Sequence, residues 1–241
     1  HIVTIEDPIE FLHTDLNCIV SQREVGTDTV NFQDALESAL RQAPDVLLIG
    51  EMRDQQSVKA AVYFAETGHL VLSTLHSNNA TQTVERVVQF FPTEIHDQVY
   101  AQLSLNLRGV VSQRLVPRSD IEGRVAAVEV MTVNARVQEL LRSGELTQLK
   151  RELDLFAPEG MQSFDASLLA LYREGLISPE DAVRFSDNAN DMRLKLKTMP
   201  VYIKSSGRED PRYQSTPYQS VGPRRGDAGA PAAVEGDERT S

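Results

Sequence analysis

Three aliphatic runs, residues 2–5, 45–50 and 70–75, alternate with segments whose apolar residues recur at helical spacing, and this alternation limits the folds open to the chain. Runs so short and so apolar read as strands buried on both faces. Strands separated by helices cannot pair through tight turns, so the pattern predicts βαβ units and a parallel sheet. Residues 124–131 read as a further strand with 110–116 as its partner across a hairpin. The expected fold class is therefore α/β.

The helices carry their own punctuation. Phe32, Leu36, Ala39 and Leu40 follow the N-cap candidate Asn31, and Pro44 requires that helix to stop. A second helix is expected over 55–67 with Gly68 ending it, then helices over 80–90 and 94–107, the latter capped by Thr93. From 134 to 199 the strand pattern gives way to helical patterns at 135–143, 146–154, 164–174 and 179–198. Gly144 and Gly175 supply stops, and Ser178-Pro179 an N-cap followed by proline at the first helical position. The expected organisation is an α/β core over 1–131, a helical region over 132–203 and a tail over 204–241.

The tail differs in kind. Residues 204–241 hold six basic and six acidic residues, so the whole net charge of -11 rests on 1–203. With Pro211, Pro217, Pro223 and Pro231 and almost no large aliphatics, the tail cannot bury enough apolar surface to offset its ordering entropy, and disorder is expected. The acidic balance argues against nucleic acid as a partner. Cys18, the single cysteine, excludes an internal disulfide or a multi-cysteine zinc site and suits a reducing compartment. No signal-like start or membrane-spanning run is apparent.

Ligands of open parallel sheets bind beyond the carboxyl ends of the strands. The first strand ends in Glu6-Asp7-Pro8-Ile9-Glu10, the second in Gly50-Glu51-Met52-Arg53-Asp54, and the third runs from His69 through Ser73-Thr74-Leu75 to His76. Carboxylates at adjacent strand ends repel unless a cation or a shared proton lies between them, and magnesium with a nucleotide phosphate would supply the cation. Each feature alone also has a bland explanation. Four aliphatics before an acid are common, a Glu-Asp-Pro turn can be a solvated loop, Glu10 and Arg53 can be ion-pair partners, and a strand histidine can be a satisfied edge residue.

Taken together, Thr4 to Phe11, Ser21 to Val25, Gly50 to Asp54 and Glu66 to His76 resemble the Asp box, Walker B and His box of the secretion ATPases of type IV pili and type II and IV secretion. The resemblance covers about 200 of the 241 residues. It implies a RecA-like P-loop ATPase core (its C-terminal part), a hexamer, ATP and Mg2+ as cofactors, and a cytoplasmic place at the inner-membrane base of a pilus. Glu6 would polarise the attacking water and Glu51 would hold magnesium through water. Asp7, Glu10, Arg53, His69 and His76 would line the nucleotide.

Within the family the chain looks most like the pilus retraction ATPases. Extension and type II secretion motors carry a four-cysteine zinc subdomain that Cys18 cannot provide. Residues 161–175 and 187–194 resemble the PilU type of retraction ATPase. The AIRNLIRE motif of the PilT type is reduced here to the apolar face and Arg142 of residues 136–143. The implied partners are a PilT-like motor and the inner-membrane pilus platform protein.

One departure is large. None of the lysines, Lys59, Lys150, Lys195, Lys197 and Lys204, follows a glycine, so no phosphate-binding Gly-Lys-Ser/Thr can be written. With His1 in place of an initiator methionine, this leads to the expectation of a fragment that neither binds nor hydrolyses ATP alone. Two other readings stay open: a metal-dependent hydrolase using Glu6, Glu51, His69 and His76, and a non-catalytic module docking on a motor ring through its helices.

Overall fold

A computed structural model describes residues 1–155 and 160–198. The expected tail over 204–241, and the last residues of the expected helical region, lie outside the described residues.

The sheet is parallel, as expected. Strands β1 (Ile2–Glu6), β2 (Val20–Glu24), β3 (Val46–Ile49) and β4 (Leu70–Ser73) lie in the order β2-β1-β3-β4, all pairs parallel. Ile5 pairs with Ile49 and Ile49 with Ser73, so the carboxyl ends of β1, β3 and β4 finish side by side. Val3 and Ile5 on β1 and Leu47 and Ile49 on β3 are buried. Leu70 and Leu72 on the edge strand β4 are about half exposed, because one face of that strand is uncovered.

β2 is a finding that hydrophobic patterning did not anticipate. Its sequence, Val-Ser-Gln-Arg-Glu, is polar and no residue of it is fully buried. It is an edge strand with a single neighbour, and its backbone bonds to β1 hold it without an apolar face.

Helices α1 (Phe32–Leu40) and α2 (Gln55–Glu66) are capped by Asn31 and Asp54, each accepting a backbone N–H three residues on. Asp54 and Ser57 complete a reciprocal capping box. Gly68 adopts φ +94 just beyond α2, as its expected role requires. Then come α3 (Ala80–Gln89), capped by Asn79, and α4 (His96–Asn106). Thr93 does not cap α4. A single 3-10 turn over Thr93–Ile95 precedes the helix, which starts without a side-chain cap.

Strands β5 (Gly109–Pro117) and β6 (Arg124–Thr132) form the expected hairpin in register from Gly109↔Thr132 to Pro117↔Arg124. Gly109 has to be glycine, since a Cβ would stand 2.9 Å from the Met131 carbonyl oxygen. After it come α5 (Ala135–Ser143), α6 (Leu146–Leu155), α7 (Phe164–Arg173), α8 (Pro179–Phe185) and α9 (Ala189–Thr198). The single helix expected over 179–198 is thus two. Asp187 is drawn out of line by Arg114 and Lys150, and Asn188 then accepts the backbone N–H groups of Asn190 and Asp191 to start α9.

Three apolar cores result. Val3, Ile5, Leu36, Leu47, Ile49 and Phe64 join the sheet to α1 and α2. Val84, Val88 and Leu103 of α3 and α4 pack with Val137, Leu140, Leu141 and Leu149 of α5 and α6, so hydrophobic contact runs across residue 132. Val116 and Ala127 of the hairpin pack with Phe164, Leu168, Ile177, Ala182 and Met192. The apolar face that survives in residues 136–143 is therefore core. Leu141→Ala should lower unfolding free energy by about 2–5 kcal/mol in denaturant titration, while the exposed Leu194→Ala should change it by less than about 0.5 kcal/mol.

Candidate functional site

Parallel pairing brings the tips of β1 and β3 together. The Gly50 N–H donates to the Ile5 carbonyl at 2.8 Å, and a Cβ on Gly50 would stand 3.3 Å from both that oxygen and the Glu6 Cα. A side chain here would press on the β1 backbone, and the next residue is Glu51. Glu6 and Glu51 therefore emerge from neighbouring strand ends.

Their surroundings differ. Glu6 accepts hydrogen bonds at one oxygen, Oε1, from the Thr4 hydroxyl at 2.6 Å and from the Gln22 amide at 3.0 Å. Both oxygens of Glu51 have a nitrogen partner: Oε2 accepts from Arg53 Nε at 2.6 Å and Oε1 lies 3.1 Å from His76 Nε2. The Arg53 hydrogen bond holds the Glu51 carboxyl below the usual carboxylate range despite partial desolvation, and the charges of Arg53, His76 and Arg86 add to it. Arg53 also donates to Asp7 Oδ2 at 3.0 Å, so one guanidinium ties both strand tips together, and the two carboxylates raise its own pKa.

Loops complete the cradle. Thr74 donates its hydroxyl to the Gly50 carbonyl at 2.5 Å and its own carbonyl accepts the Met52 N–H at 3.1 Å, so the exits of β3 and β4 are stitched together. Glu24 accepts the Ile9 N–H and the Thr27 hydroxyl, ordering the loop after β1.

Of the residues singled out from sequence, Glu6, Asp7, Glu51, Arg53 and His76 converge. Glu10 is exposed on the neighbouring loop and forms no ion pair among the described residues. His69 lies elsewhere. It precedes β4, and the Leu70 N–H bonds to the carbonyl of Asp45, the residue before β3, so His69 sits at the opposite end of the sheet from His76. Its Nδ1 lies 3.2 Å from the Phe64 carbonyl and 3.0 Å from the Thr67 hydroxyl, with its ring edge-on to Phe64, closing the C-terminus of α2. A metal held jointly by Glu6, Glu51, His69 and His76 is thus ruled out by geometry. Among the described residues no group of three or more His, Cys, Asp or Glu could hold an ion.

Motif reading quoted Thr4 and Gln22 within longer stretches but gave them no role, and it missed Arg86. Gln22 lies in a stretch flagged only through resemblance, and Arg86 stands on α3 with no motif around it.

What the site can do follows from these contacts. A carboxylate kept ionised by cations suits the water shell of a hard cation better than direct ligation. Magnesium bound through one or two carboxylates and several waters needs no protein cage, so this donor set fits it.

Comparison with known proteins bears on the same residues. Residues 1–157 match the sequence profile of the type II/IV secretion system protein family. The type IV pilus ATPase PilU of Pseudomonas aeruginosa is 51% identical over 197 residues, covering 82% of this chain and 52% of that protein. The type IV pilus retraction ATPase PilT of the same organism is 46% identical over 182 residues, covering 76% and 53%. A crystal structure of the pilus retraction motor PilT with bound ADP superposes with a TM-score of 0.74 at 43% identity, covering 80% of this chain and 55% of that one. The chain spans about half the length of the curated relatives it matches.

The folded pKa of Glu51 lies below its unfolded value, so its ion pairs stabilise the fold above the unfolded pKa and are lost as pH falls through the folded one. Wild type should therefore melt about 1–3 °C above Glu51→Gln at pH 7. The gap should close as scanning calorimetry is carried toward pH 3.

Proposed function

The chain belongs to the type II/IV secretion system protein family, and from that premise we propose that it forms the catalytic acids and helical region of a motor ATPase that retracts a type IV pilus. The P-loop ATPase fold is the one expected of that family, with 43% identity to the ADP-bound retraction motor supporting it. The observation that carries the reading is the meeting of Glu6, Glu51, Arg53, Asp7 and His76 at the carboxyl ends of adjacent parallel strands.

In this reading the substrates are ATP and water. Glu6, its carboxylate oriented by Thr4 and Gln22, accepts a hydrogen bond from the attacking water and aligns it. Phosphoryl transfer through a loose transition state asks for such positioning and for charge compensation, and no covalent nucleophile is needed. Glu51 would hold magnesium through water; the ion, when bound, neutralises charge on the β- and γ-phosphoryl oxygens. Arg53 keeps Glu51 ionised, and His76, largely exposed and held among the described residues only through Glu51, can turn toward a phosphate. The phosphate-binding loop has to come from outside these 241 residues, which hold no Gly-Lys pair.

PilU-like character is supported by the 51% identity and by the altered segment 136–143, whose Val137, Leu140 and Leu141 are buried while Arg142 is exposed. The partners that suit it are further copies of itself in a hexameric ring, a PilT-like motor and the inner-membrane pilus platform protein, on the cytoplasmic side. Nucleic acid does not suit a net charge of -11. No described helix is long and apolar enough to cross a membrane.

In the full-length protein that carries this chain, Glu51→Gln should leave the fold intact and cut ATP turnover at least ~100-fold. Glu6→Gln should do the same while nucleotide binding is largely kept, because it acts on water. Steady-state hydrolysis with a fluorescent-nucleotide titration reads both, and near-normal turnover in either variant removes that residue from the site.

A further inference from the structure

Two polar residues stand outside the machinery described so far, Glu129, which is buried, and Arg114, which is partly buried, and both face two ways. Arg114 on β5 donates through Nη2 to the Asn78 carbonyl at 3.1 Å and to Asp187 Oδ1 at 2.6 Å, and through Nη1 to the Phe185 carbonyl at 2.6 Å. Its guanidinium stacks 3.8 Å above the centre of the Phe164 ring. Glu129 on β6 is 2% exposed and accepts the backbone N–H of Ala80, the first residue of α3, at 2.7 Å. The backbone N–H of Phe164, the first residue of α7, also hydrogen-bonds to it. One carboxylate thus serves two helix N-termini.

On one side these residues hold the short loop that links His76 to α3. Asn78 and Ala80 are its anchored positions, and Asn79, itself buried, caps α3. His76 lies two residues upstream, and its ring is held only from the Glu51 side. On the other side the same two groups hold the start of α7 and the end of α8. Burial would raise the Asp187 carboxyl, but hydrogen bonds from Arg114 and Lys150 outweigh it and keep the acid ionised, so the α8–α9 corner stays locked to Arg114. The Ala80–Glu129 bond is buried and the Arg114 bonds to Phe185 and Asp187 are partly buried, so breaking them costs more than breaking exposed bonds would.

We propose that Arg114 and Glu129 are positioning residues of the nucleotide site: by holding the Asn78 carbonyl and the Ala80 N–H they set where His76 stands against Glu51, and by sharing those side chains with α7 and α8 they make that position depend on how the helical region is docked. The inference rests on the ATPase reading above. It assigns the helical region a route to the chemistry that runs through His76.

The test uses the full-length protein with Arg114→Lys and Glu129→Gln. Lysine keeps a charge for Asp187 but lacks the fork needed to reach Asn78, Phe185 and Asp187 together. Both variants should lower kcat about 10-fold with KM for ATP within about 2-fold. Ser167→Ala is the control. It removes the hydroxyl that accepts the Val128 N–H while the Arg114 and Glu129 contacts to α7 and α8 stay in place, and its kcat should stay within about 2-fold. In a His76→Ala background the Arg114→Lys effect should vanish, since both act through one group. Equal losses with and without His76, a change in KM alone, or a loss matched by Ser167→Ala would overturn the proposal. Amide hydrogen exchange gives a readout that needs no turnover. Arg114→Lys should speed exchange over residues 77–82 at least ~10-fold and leave β1 and β3 within about 2-fold. If the unmutated protein hydrolyses no ATP, the motor reading fails, and unchanged exchange over 77–82 would then reject the positioning role as well.

Discussion

The hydrogen bond from the Gly50 N–H to the Ile5 carbonyl is where the arrangement of this molecule is decided. It extends the β1–β3 pairing one residue past the strand ends, and with no side chain at Gly50 the two tips approach until any Cβ would crowd Glu6. Two acids on adjacent tips follow directly. In a parallel sheet every strand points the same way, so the groups at its carboxyl ends share one edge. That closeness is unfavourable for like charges and is relieved by a single guanidinium. Arg53 bonds Glu51 and Asp7 at once, and its loop is steadied by the Met52–Thr74 bond to the exit of β4.

The site is therefore ordered unevenly. Glu51 is held at both oxygens and kept ionised, whereas His76 projects into solvent with one contact. Glu6 is fixed by neutral donors, Thr4 and Gln22, and no cation bonds it, which leaves it free to accept from water. Two carboxylates of the same chemical type thus receive different surroundings from their neighbours.

The helical region is joined to this edge through polar contacts as well as packing. Gln162 pairs with Val130 through both backbone bonds and Ser167 accepts from Val128, so α7 is laid along β6. Glu129 accepts from the first residue of α3 and from the first residue of α7.

Periodicity and punctuation in the sequence determined much of this protein. The parallel sheet, the β5–β6 hairpin, the Asn31 cap, the Gly68, Gly144 and Gly175 stops and the Ser178-Pro179 start are local preferences of backbone and side chain, and they hold in the fold. So does the gathering of Glu6, Glu51, Arg53 and His76, because strand direction alone sends the ends of β1, β3 and β4 to one edge. What local preference could not supply was decided by tertiary contact. β2 is too polar to read as a strand and exists because β1 offers a free edge. Helices α8 and α9 are parted because Arg114 and Lys150 capture Asp187 from distant segments. His69 is separated from His76 because the strand between them runs the length of the sheet, which carries two residues of one motif to opposite ends. The partners of Glu129, at positions 80 and 164, have no sequence signature, since a backbone N–H is the same at every residue and only the fold selects which two it brings to a buried acid.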